Sequence, residues 1–110
     1  MPDIALEFNN HVLNAASMAT SLDSGCIDIS NVLGYAVQAI WSGSPVGNII
    51  IQGSLDGANF KVVSTTAAGG VSGSLLVNND GIHYPFLKVI YTEASGTGTL
   101  DVYVSAKKYV

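Results

Sequence analysis

The chain has 110 residues, the common size of one domain and enough to bury a core without disulfide or metal staples. Charged residues make up only 11% of it, against roughly 25% in ordinary domains; arginine is absent, and Lys61, Lys88, Lys107 and Lys108 face six aspartates and two glutamates for a net charge of −4. This balance argues against nucleic acid as a partner, since phosphate binding runs on Lys and Arg clusters and Lys107-Lys108 is the only adjacent basic pair. The sequence also holds no apolar run near the roughly 20 residues of a membrane span, and no basic region before Asp3 and Glu7 that would begin a signal peptide.

The chain begins with an alternating run, Ile4 to Phe8, followed by Asn9-Asn10 as a turn and His11-Val12-Leu13 as a possible return. Residues 1–20 therefore read as an edge hairpin or as an arm that leaves the domain, and residues 21–110 as the domain itself. Asn14 to Thr20 is rich in Ala and Ser and could form one helical turn, which Leu22 onward breaks. Cys26, the only cysteine, permits no intrachain disulfide and is expected as a small buried hydrophobe at the start of a short strand, Cys26 to Ile29. Tyr35, Val37, Ala39 and Trp41 share one face of the next strand, so Trp41 is expected in the core or at its edge. Ser42 to Gly47 closes that strand.

The middle of the chain predicts a hairpin. Asn48 to Leu55 runs out, Asp56-Gly57-Ala58-Asn59 turns, and Phe60 to Thr65 returns, with Asp-Gly between β-rich runs as the turn signal. Gly53 inside the first strand marks a bulge or a close backbone approach. Ala67 to Gly73 reads as loop, and Ser74 to Val77 as a brief strand ended by Asn78-Asn79-Asp80-Gly81. Phe86 to Thr92 alternates, and Glu93 to Gly98 is expected to join it as a hairpin to the clearest strand of all. There Leu100, Val102, Val104 and Ala106 lie on one face, with Asp101, Tyr103, Ser105 and Lys107 on the other. Short strands punctuated by glycine and proline every eight to twelve residues predict an all-β fold, an antiparallel β-sandwich or barrel.

The inventory for chemistry is thin. His11 and His83 are the only histidines, His83 just ahead of Tyr84-Pro85, and both read as surface or loop residues. No nucleophile elbow, phosphate loop, H-E-x-x-H or C-x-x-C occurs, and the acidic residues are scattered singly, so no enzyme, cofactor or metal is expected. Asp56 with Asn59, and Asn78, Asn79 and Asp80, are the only groupings that suggest calcium. Turn chemistry accounts for both. Aromatic side chains able to stack on sugars or fill an interface are better represented, and Trp41, Tyr84 and Tyr103 are the candidate interface or glycan contacts. A surface with so little charge resists self-association poorly, so part of it is expected to lie against other copies of the chain.

The run from Ile49 to Phe60, with Ser54-Leu55-Asp56-Gly57-Ala58-Asn59-Phe60 at its end, resembles the S-x-D-G-x-N-F hairpin of small virion proteins of tailed and related bacteriophages. Tyr84 to Thr92 and Gly96 to Leu100 are similar to the aromatic-rich strand and Gly-rich hairpin that follow it there, so the resemblance covers about residues 35 to 107. It implies a jelly-roll-like sandwich made in the host cytoplasm and built into the virion as a capsid, head-decoration or tail subunit. Its partners would be its own copies as a homo-oligomer and other virion proteins. The same hairpin occurs in sugar-binding sandwiches, which keeps a glycan-binding or host-attachment module as the alternative.

Overall fold

The computed structural model describes residues 4–30, 32–80, 82 and 84–109, and side chains within residues 9–107 of these. Among the described residues, nine strands form two antiparallel sheets packed face to face. They are β1 (Ile4–Ser17), β2 (Leu22–Asp23), β3 (Ile27–Asp28), β4 (Gly34–Gly43), β5 (Val46–Ser54), β6 (Lys61–Ala67), β7 (Gly73–Asp80), β8 (Phe86–Ser95) and β9 (Gly98–Tyr109). One sheet has the order β1-β9-β4-β7. The other has β2-β8-β5-β6, with β3 also on β8. If β2 and β3 are taken as one interrupted strand, the pairs β5–β6, β4–β7, β2/β3–β8 and β1–β9 nest inside one another. The chain is thus one long hairpin, turned at residues 55–60 and rolled up, which is the jelly-roll arrangement of the antiparallel sandwich.

The core follows the alternation. Leu100, Val102 and Val104 of β9 and Leu87, Val89 and Tyr91 of β8 are fully buried. They meet Tyr35, Val37, Ala39 and Trp41 of β4 and Ile49 and Ile51 of β5. Each such aliphatic or aromatic side chain contributes about 1.5–3 kcal/mol by leaving water, so the period-2 patterning of β4, β8 and β9 is enough to fix which face of each sheet is inward.

Five expectations are corrected, four of them by strand pairing and exposure. First, Glu93 to Gly98 does not join a hairpin: β8 and β9 lie in different sheets, and the segment crosses between them. It stacks on the neighbouring crossover from β4 to β5, where Ser44 N–H donates to the Thr97 carbonyl at 2.8 Å. Gly96 sits at φ +80° with its Cα against the Ser44 carbonyl, a place no side chain could share. Second, Asn9-Asn10 does not turn. β1 is continuous and pairs with β9 from Ile4 opposite Tyr109 to Ser17 opposite Thr99, so residues 4–17 form an edge strand of the sandwich rather than a hairpin or a departing arm. Third, β7 runs on through Asn78, Asn79 and Asp80, because β4 offers a ladder from Gly34 to Trp41 that overrides the turn preference of those residues. Fourth, Cys26 is exposed, in the break between β2 and β3. At that break Ser24 Oγ takes the place of a ladder carbonyl and accepts from Val89 N–H at 2.9 Å.

Asn14 to Ser17 belongs to β1, with Ala15 at φ 46° in one of its register shifts, so the helical turn considered there does not form. The middle hairpin is as expected. Its ladder shifts register between Ile51 and Gln52, and Gly53 lies under the Tyr84 ring, where a Cβ would come within 2.7 Å of Cδ2.

Candidate functional site: the outer face of the β1-β9-β4-β7 sheet

The outward set of β9 places Asp101, Tyr103 and Ser105 on the solvent face of this sheet. Register then assembles a row across four strands: His11 lies opposite Tyr103, Tyr103 opposite Gln38, and Gln38 opposite Leu76. In the next row Asp101 lies opposite Ile40. The His11 and Tyr103 rings stack, with centroids 4.2 Å apart and planes 10° from parallel, so His11 covers one face of the tyrosine. Asp101 Oδ1 lies 2.9 Å from His11 Nε2 and accepts from Ala15 N–H at 2.8 Å. The Ala15 hydrogen bond, with a smaller part from His11, holds the Asp101 carboxyl below the usual carboxylate range. One carboxylate thus fixes both the bulge in β1 and the ring that supports Tyr103.

The resulting face is mixed in character. Tyr103 is 36% exposed, Ile40 43% and Leu76 71%. It offers a buttressed aromatic ring, an amide and two aliphatic side chains, a composition suited to contact with another surface or to stacking on a sugar.

The other two predicted contacts sit elsewhere. Trp41 is only 6% exposed, and its Nε1 donates to the Val71 carbonyl at 2.9 Å, so it is a core residue with no ring face left for a sugar or a neighbour. Tyr84 lies at the end of the sandwich. Its hydroxyl is 2.7 Å from that of Tyr35, and Asn79 Nδ2 donates to both oxygens at 3.1 and 3.2 Å. Burial, then the hydrogen bond with Tyr35, pushes the Tyr84 hydroxyl well above the ordinary tyrosine range, so it stays protonated. Beside it, Ile29, Ser30, Val32, Ile82 and Pro85 line a cavity of about 270 Å³. The structure does not bring Trp41, Tyr84 and Tyr103 together. His83 lies outside the described residues.

Of the groupings considered for calcium, the fold engages Asp56 with Asn59, and Asn79. Asp56 Oδ1 accepts from Ser54 Oγ–H, Ala58 N–H and Asn59 N–H, and its Oδ2 accepts from Asn59 Nδ2. Asn79 serves the tyrosine pair. Among the described residues no group of three or more His, Cys, Asp or Glu side chains is placed so that it could hold a metal ion.

Reasoning from sequence alone missed His11, Asp101 and Asn79 as partners of the predicted tyrosines. His11 and Tyr103 are joined by pairing of the first long strand with the last, and no local pattern carries that information.

No known protein family matches the chain, and no curated protein matches it in sequence. Solved structures do match in fold. The PBSX exported protein XepA superposes with a TM-score of 0.59 at 14% identity over 94% of this chain and 36% of its own. The SPBc2 prophage-derived protein YomS does so at 0.54 and 12% over 96% and 95%. TmCBM61, solved in complex with β-1,4-galactotriose, does so at 0.50 and 15% over 93% and 86%. The chain therefore spans about a third of the length of XepA and nearly all of YomS. At these identities the likeness shows a shared sandwich fold.

Proposed function

We propose that this protein is a structural component of a bacteriophage particle, a capsid, head-decoration or tail subunit that works by assembling with its own copies and with other virion proteins, and that it performs no catalysis. The observation that carries the reading is the pairing of exposed apolar side chains with scarce charge. Eight large hydrophobic side chains are exposed among the described residues, from Tyr103 at 36% to Leu55 at 75%. Scattered exposed hydrophobics are ordinary by themselves. Here they sit on a chain with four lysines and no arginine, which has little charge to keep copies apart. The fold it shares with a protein named as prophage-derived adds support. Mass spectrometry of purified particles is the test: the protein should be present in stoichiometric amount, and its absence overturns the reading.

The buttressed Tyr103 ring favours a second reading, a glycan-binding or host-attachment module, since a sugar could use the aromatic ring with Gln38 beside it. Binding on a glycan array that is lost in Tyr103→Ala supports it, and an array without signal removes it.

A further inference from the structure

The four edges of the two sheets are not alike. On one side of the sandwich both are blunted. β2 and β3 are two-residue strands carrying Asp23 and Asp28, and β1, though one strand, is kinked by three register shifts. Short, charged and bulged strands are what keeps a sheet edge from pairing with another chain. The opposite side has β6 and β7. β6 is seven residues long, has no buried residue, and carries a single charge, Lys61, at its first position. One irregularity lies near that end, where Val62 and Val63 are 57% and 41% exposed. The segment Ser64 to Ala67 is regular.

The ladder shows which backbone groups of β6 are free. Ala68 N–H donates to the Gly47 carbonyl at 2.9 Å, so residues 68, 66 and 64 direct their backbone groups to β5. In an antiparallel pair this direction alternates along the strand. Thr65 and Ala67 therefore turn N–H and C=O outward, to the open edge.

We propose that this edge is where a second copy of the chain docks, by antiparallel β6–β6 pairing about a two-fold axis at Thr65. The proposal deepens the assembly reading and rests on it for the claim that copies meet. Three features favour a second copy. The far edges of both sheets are blunted, which leaves the β6 side to meet the same side of a second copy, and a β6–β6 contact is isologous and closes as a dimer rather than running on as a fibre. With the axis at Thr65, Lys61 falls across from Gly69 of the partner subunit, so no like charges oppose. Asp23 and Asp28 lie three strands away, about 14 Å at ~4.8 Å per strand, beyond the ~8–10 Å over which exposed charges act in ordinary salt. Pairing also brings the second copy over the exposed Val62 and Val63.

The test is light scattering with size-exclusion chromatography on the purified chain at increasing concentration, with circular dichroism to show the fold is kept. The wild type should dimerise. Thr65→Pro removes an outward N–H without touching the bonds to β5, and should be monomeric. Should it fail to fold, the charge pair decides. Thr65→Lys and Thr65→Glu alone should each be monomeric, because like charges then meet at the axis, and mixing the two should restore a dimer. A wild type that stays monomeric to its solubility limit overturns the proposal. So does a dimer that survives all three variants. In the second case copies still meet, and the assembly reading stands on particle composition alone.

Discussion

Tyr91 shows how a residue can be well packed and still badly satisfied. The side chain is fully buried, and its hydroxyl has no hydrogen-bond partner among the described residues. Burial, the dominant cause, pushes this hydroxyl above the ordinary tyrosine range. A buried polar group left unpaired costs about 1–3 kcal/mol, while the ring itself fills the core beside Gly47. Tyr91→Phe keeps the ring and deletes the oxygen, so urea unfolding should show the variant more stable by about 1 kcal/mol with an unchanged slope. Tyr84 is the contrast: a half-buried hydroxyl met by Tyr35 and Asn79. Removal of its oxygen should destabilise.

At the scale of the element, the turn from Ser54 to Phe60 explains its own sequence. The buried Ser54 hydroxyl donates to Asp56 and accepts from the N–H groups of Asp56 and Gly57. Gly57 takes φ +77°, Asn59 completes the carboxylate, and Phe60 lies under Lys88 Nζ at 4.5 Å from the ring centroid. Ser54, Asp56, Gly57 and Asn59 are each accounted for by turn formation, which is why a similar run can occur in proteins of different function. The same bonds, the Asn59 backbone N–H first, hold the Asp56 carboxyl well below the ordinary carboxylate range. A depressed carboxylate contributes stability that is present above the unfolded value, near 4, and is lost as pH falls toward the folded one. Asp101 and Asp28 are shifted in the same direction. Chemical denaturation measured from pH 6 down to 2 should therefore show stability falling below about pH 4, and Asp56→Asn should flatten part of that fall.

At the scale of the whole molecule, the roll is closed where two crossovers touch. β4–β5 and β8–β9 pass between sheets side by side, held by Ser44 N–H on the Thr97 carbonyl. Gly96 makes that approach possible, with a positive φ and no Cβ. Gly96→Ala carries both a backbone conformation costing about 1–3 kcal/mol and a clash with the Ser44 carbonyl, so its midpoint in thermal unfolding should fall by several degrees or more. Gly69, with a similar φ and nothing near its Cβ, should tolerate the same change better.

Two-fold alternation determined the all-β class and the inward faces of β4, β8 and β9, and the Asp56-Gly57 turn signal determined the central hairpin, because each rests on residues adjacent in the chain. The absence of arginine and the low charge are properties of composition, and they point to assembly without reference to the fold. What the sequence did not carry was pairing at a distance: that β1 runs unbroken because β9 gives it a ladder, that Glu93 to Gly98 crosses between sheets instead of turning back, and that His11 and Asp101 support Tyr103. A strand's partner is chosen by the ladder and the buried face it completes, and in a rolled hairpin the first and last strands complete each other. For the same reason only the tertiary structure separated the blunted edges from the open edge at β6.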